Sequence, residues 1–153
     1  MNANEKELSN PFSTGGGGVS FENAIQAKFV TLMLTGGYAP CLPHWPIIEI
    51  KLQGKVAGYN TDDVIVIVGN PNNNEKIRLL GQIKHSIQIT EKNEIFEEVI
   101  QAAWNDFNDP NNFKRGKDVI ALITGPISKT DIDGVTFLLE QARHTKDDQQ
   151  GTS

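Results

Sequence analysis

Two carboxylates in tandem, Asp62-Asp63, stand directly before a run of five β-branched residues, Val64-Ile65-Val66-Ile67-Val68. Further along, the apolar stretch Leu79-Leu80-Gly81 runs into Gln82-Ile83-Lys84. In an extended strand Gln82 and Lys84 leave the same face, and Ile83 points the other way into a core. By itself, a lysine at a strand end is a strand reaching water. Buried beside an amide it is costly without a partner, and a carboxylate brought next to it makes it part of a site. Two or three oxygen ligands converging with a lysine suit a hard cation. Mg²⁺ takes one or two carboxylates, keeps several waters and completes its shell from a substrate phosphate; Mn²⁺ is the alternative. The candidate ligands are Asp63 or Asp62, Gln82 and the backbone carbonyl of Ile83. Lys84 would orient or deprotonate an attacking water and offset charge in a phosphorane-like transition state.

These residues meet only if the two strands pair in the right register. Gly69-Asn70-Pro71-Asn72-Asn73-Asn74 is a strong turn signal between them. A turn centred near Asn72 or Asn73 sets residues whose numbers sum to about 144–145 opposite one another, so Asp62 or Asp63 faces Gln82. Asp63, directly against the buried run, is the preferred partner.

The other elements follow in order. Residues 1–18 read as a flexible arm ending in the glycine run Gly15 to Gly18, a hinge rather than a phosphate loop because no Gly-Lys-Ser/Thr follows. Ser20 is placed to cap a first helix whose apolar residues Phe21, Ile25, Phe29, Leu32 and Met33 recur at helical spacing, with Gly36-Gly37 ending it. Glu22 and Gln26 share one face of that helix. Tyr38 to Pro46 is a proline-rich loop in which Cys41 and His44 are packing residues or a metal pair; packing is favoured because no second pair accompanies them. Ile48, Ile50 and Leu52 alternate with polar residues as a half-buried strand near a sheet edge. Thr90 is the expected cap of a second helix with the apolar stripe Ile95, Phe96, Val99, Ile100, Ala103, Trp104 and Phe107, Trp104 lying in the core. Val119 to Thr124 is expected to be a second fully buried strand. Thr130 and Asp133 resemble a capping box for a last helix.

The chain has 153 residues, 38% of them hydrophobic and 22% charged, which fits a single globular domain. A formal net charge of −5 argues against a protein held on nucleic acid by bulk charge, though not against local phosphate contacts. No membrane-length apolar stretch is present. The single Cys41 excludes an internal disulfide, and a cytoplasmic location is expected.

Asp63 followed by Gln82-Ile83-Lys84 on the next strand resembles the Asp…(Asp/Glu)-x-Lys signature of the PD-(D/E)XK nucleases, and the Gln form resembles their Mrr-like branch. With the Gly-rich lead, Asp62-Asp63-Val64 and Gln82-Ile83-Lys84-His85 look like the double-stranded-DNA endonuclease domain at the N-terminus of bacterial anti-phage defence effectors of the CBASS and AVAST types. The resemblance spans roughly Val19 to Gly125. It implies an α/β fold with a restriction-endonuclease-like αβββαβ core, a mixed central sheet flanked by helices. It implies a nuclease domain over 19–144, with 145–153 a tail or linker to further domains. By the same resemblance Glu22 would take the place of the family's helix carboxylate and join Asp63 as a metal ligand. Double-stranded DNA is the expected substrate, and a homo-oligomer or a fused regulatory domain the expected setting. Gln82 departs from the acid that many members carry, which opens the alternative of a catalytically degenerate fold that binds nucleic acid or protein. His85 and Gln26 are candidates for substrate contact. Lys114, Arg115 and Lys117, clustered before the last strand, are phosphate contacts or solvated loop charge; Lys51 and Lys55 are open to the same two readings.

Overall fold

The computed structural model describes residues 16–90 and 92–147. Helix α1 (Gly16–Thr35) is followed by strand β1 (Ile47–Leu52), a 3-10 turn (Gly54–Ala57), β2 (Val64–Gly69) and β3 (Lys76–Lys84). Helix α2 (Glu94–Asn108), β4 (Val119–Thr124) and α3 (Lys129–Asp147) complete the chain. The four strands form one mixed sheet in the order β1-β2-β3-β4, with β1-β2 and β2-β3 antiparallel and β3-β4 parallel. Short turns make the antiparallel pairs, whereas the parallel pair needs the α2 crossover.

The β-branched run of β2 is the centre of the sheet and is buried on both faces. Val64, Val66 and Val68 pack with Ile83, Leu79 and Phe29 on the side that α1 covers. Ile65 and Ile67 pack with Leu80, Tyr59 and Phe113 on the other. Val64 pairs with Gly81 and Gly69 with Lys76, a register sum of 145 throughout the hairpin. Arg78 on β3 binds Asp118 ahead of β4 through Nε at 2.9 Å and through its guanidinium at 2.7 Å. The same carboxylate accepts the Lys114 amide at 2.8 Å, so it ties the incoming loop to the sheet and fixes where β4 begins.

Several elements differ from the sequence expectation. Helix α1 begins at Gly16, so Ser20 lies within it and three glycines of the supposed hinge are helical. Its end is as expected: Gly36 adopts φ 72° and the Gly37 amide returns to the Leu32 carbonyl at 2.8 Å. In β1 a bulge between Ile47 and Glu49 shifts the phase, so Ile47 rather than Ile48 enters the core while Ile50 keeps its place. Asn93, not Thr90, caps α2, its side chain accepting the Phe96 amide at 2.9 Å. Ser128 and Asp131 form the reciprocal cap at the start of α3, two residues before the expected pair. Strand β4 is an edge strand and only half buried.

Trp104 is 61% exposed rather than in the core. The buried residues of α2 are Val99 and Asp106, seven apart and nearly in line along the helix. Trp104, five residues from Val99, is rotated roughly 140° from that line.

Candidate functional site

The hairpin register carries Asp63 to Gln82. Asp63 Oδ2 accepts Gln82 Nε2 at 2.6 Å and the Ile83 amide at 2.6 Å. Of the two tandem aspartates it is therefore Asp63 that joins the β3 residues. Asp62 lines the adjoining hollow, and its carbonyl accepts the Gly54 amide at 2.5 Å. Ile83 meets the carboxylate through its N–H, and its side chain enters the core under α1.

Helix α1 reaches the same place through one amide. Gln26 Nε2 donates to Glu22 Oε1 at 3.0 Å and to the Asp63 carbonyl at 2.9 Å. Gln26 is nearly buried and acts as a brace between helix and strand, whereas the sequence suggested a substrate contact. The brace sets the Glu22 carboxylate close enough to Asp63 for the two charges to act on each other. Burial, then the charge of Asp63, push the Glu22 carboxyl above its ordinary pKa, while Lys84 pulls it down. Burial likewise raises Asp63, opposed by the Ile83 amide and by Lys84. Lys84 therefore stands within electrostatic reach of both carboxylates.

His85 lies just past the end of β3, so strand alternation no longer sets its direction. Its ring meets Phe21 of α1 edge-on, with centroids 5.1 Å apart. The Gly125 amide, just past β4, closes on the carbonyl of His85 at 3.2 Å. A Cβ on Gly125 would fall onto that carbonyl oxygen. Gly125→Ala should therefore destabilise the fold by about 1–3 kcal/mol. The backbone that carries Lys84 must move to admit the methyl group, and urea unfolding reads the loss of stability.

The basic cluster is elsewhere. Because β4 runs parallel to β3, with Val119 opposite Leu79 and Thr124 opposite Lys84, the loop before β4 lies at the far end of the sheet. There Lys117 Nζ pairs with Glu75 at 2.5 Å. Arg115 stacks on Phe107 at 4.3 Å and donates to Asn108 Oδ1 at 2.7 Å. Lys114 lines a separate hollow beside Phe113. None of the three is brought to Asp63.

One positioning residue was missed. Asp106 of α2 is 0% exposed and receives the Asn60 amide at 3.0 Å, Asn60 Nδ2 at 2.9 Å and the Thr61 amide at 2.6 Å. It clamps the segment that leads into Asp62 and Asp63. The signal available was an acid in line with Val99 on the helix's inner face. Asp106→Ala strands the buried Thr61 amide, while the exposed Asn60 can turn to water, and is expected to cost about 1–3 kcal/mol, read from the urea midpoint.

The donors suit a small hard cation. The charge of Asp63 raises the Glu22 pKa by like-charge repulsion, which a cation between them would relieve. Among the described residues both hydrogen bonds to the Asp63 carboxylate fall on Oδ2, so Oδ1 is the oxygen a cation could take. The described residues hold no group of three or more His, Cys, Asp or Glu side chains placed for a metal ion. A cation held here would take its remaining ligands from neutral oxygens and water. No helix among the described residues is long and apolar enough to cross a membrane.

No protein-family model matches the chain, and neither the curated proteins nor the solved structures yield a significant match.

Proposed function

We propose that this α/β domain is a divalent-cation-dependent DNA endonuclease with a restriction-endonuclease-like core, and by resemblance the effector module of an anti-phage defence protein. The observation that carries the reading is the meeting of Asp63 with the Gln82-Ile83 pair at 2.6 Å, with Lys84 next along the strand and Glu22 braced alongside. Asp63 and Glu22 would hold the cation, with the Gln82 side-chain oxygen and the Ile83 carbonyl as supporting ligands. The cation would supply Lewis acidity at the phosphate and a more acidic water. Lys84 orients the attacking water by hydrogen bonding and offsets charge that builds on the phosphate oxygens. Gln26 keeps Glu22 in place, and Asp106 keeps the approach to Asp63 rigid.

The test is cation dependence. Linear and supercoiled duplex DNA should be cut with Mg²⁺ or Mn²⁺, left intact with EDTA, and cut again when the cation is restored. Cutting that persists in EDTA contradicts the reading.

A second reading, a degenerate nuclease fold that binds DNA without cutting it, is favoured by one observation. Gln82 stands where an acid would add a charge, and its amide nitrogen faces Asp63. It predicts DNA binding with no product under any cation.

A further inference from the structure

The 3-10 turn between β1 and β2 overhangs the site. Gln53, Lys55 and Val56 of this turn line a hollow of about 600 Å³ together with Glu22, Asp62 and Asp63. Lys55 and Asp62 also line the neighbouring hollow against α2, whose wall carries Glu94, Glu97 and Glu98. The mouth is thus strongly acidic on both sides. A polyanion can settle there only where local cations offset the field.

Lys55 is placed to be that cation. Lys51 pairs with Glu49 at 3.5 Å and Lys117 with Glu75 at the far end, whereas Lys55 forms no ion pair among the described residues. Its neighbour Val56 is 94% exposed, the most exposed large apolar residue described. The turn holding them is fixed rather than loose. Left-handed residues bracket it, Gln53 at φ 57° and Gly58 at φ 88°. The Gly58 amide returns to Lys55 at 3.0 Å and the Tyr59 amide to Gly54 at 3.2 Å. The Gly54 amide is bonded to Asp62 itself, so the position of Lys55 is set relative to the metal-site strand. Backbone held in sparsely populated conformations is concentrated at ligand clamps.

We infer that Lys55 is a substrate-binding residue. It grips a phosphate of double-stranded DNA next to the scissile one, while Val56 rests against the sugar edge. The inference rests on the nuclease reading for the word scissile, but DNA binding tests it independently. The probe is a fluorescein-labelled duplex, titrated by anisotropy in EDTA over a range of salt, and the same duplex in a Mg²⁺ cleavage assay. Lys55→Glu should weaken binding about tenfold or more and reduce the salt slope by about one, as loss of one phosphate contact requires. Under cleavage conditions KM should rise while kcat changes little. Lys55→Arg should restore binding, and Lys117→Glu, at the far end, should leave it unchanged. Wild type that binds and cuts, with Lys55→Glu equal to it in affinity and salt slope, overturns the assignment of Lys55 alone. Wild type that binds but never cuts, with Lys55→Glu weakened, supports the grip and overturns the nuclease reading. A chain that binds no duplex overturns both.

Discussion

Replacing Lys84 with alanine is expected to lower the rate of phosphodiester cleavage about a thousandfold, with the fold and DNA affinity nearly unchanged. The size follows from what the ammonium does. In the proposed mechanism it acts where charge develops on the reacting phosphate, so its loss should fall on kcat rather than on binding. The fold is spared because Lys84 is the last residue of β3 and only half buried, while its neighbour Ile83 supplies the core contact. Removing Lys84 also removes the cation that lowers both carboxyl pKas, so Glu22 and Asp63 should hold their protons to higher pH in the variant. Its residual activity should therefore need a higher pH as well as being lower. A pH–rate profile of wild type and Lys84→Ala, with DNA affinity measured alongside, reads all three effects.

Replacing Asp63 with asparagine should abolish cleavage and, without divalent cation, raise the thermal midpoint by a few degrees. The sign comes from the direction of the shifts. Asp63 and Glu22 both have folded pKa values raised by burial, and Glu22 further by the charge of Asp63. The folded chain therefore binds these protons more tightly than the unfolded chain does. The favourable contribution is fully present below the ordinary carboxyl pKa and is lost as pH rises through the raised values, so at neutral pH the ionised pair opposes folding. Asparagine removes one of the two charges and keeps an oxygen to accept the Gln82 and Ile83 donors. Mg²⁺ at tenfold above its dissociation constant should raise the wild-type midpoint by about 3–6 °C and leave Asp63→Asn where it was. Because protons compete for the same oxygens, the wild-type Mg²⁺ shift should shrink as pH falls through the raised carboxyl pKa values. Thermal scans across pH, with Mg²⁺ and with EDTA, give all of these shifts.

How far the site was legible depended on which physical signal each part carried. The β2–β3 hairpin was readable because an Asn- and Pro-rich turn joins a β-branched run to the next strand, and the turn sets the register to within one residue. That placed Asp62 or Asp63 at Gln82, with Asp63 preferred, and Lys84 on the face of Gln82; the observed register sum of 145 is what selects Asp63. The helix carboxylate was readable as a spacing, since Glu22 and Gln26 share a face. What Gln26 does with that face was not, because a contact to a backbone carbonyl 37 residues away leaves no trace in local pattern. Strand β1 shows a limit of alternation: an inserted bulge residue looks like one more member of the strand until its partner is known. Trp104 was misplaced because an apolar stripe wider than the buried line gives no way to choose which edge faces in. The cap of α2 moved from Thr90 to Asn93 because both residue types cap helices, Asn the better of the two, and the chain's path decides where the helix begins. The basic cluster at 114–117 was close to the site in motif terms and far from it in space, since a parallel strand begins at the end of the sheet opposite to where β3 stops.

The central claim is that Asp63, Gln82 and Lys84 form one metal-dependent cleavage site. Supercoiled plasmid incubated with Mg²⁺ and, in parallel, wild type and Lys84→Ala tests it in a single gel. The account predicts nicked and linear DNA from wild type and plasmid left supercoiled by Lys84→Ala at the same protein concentration. Cleavage by Lys84→Ala at the wild-type rate would contradict it.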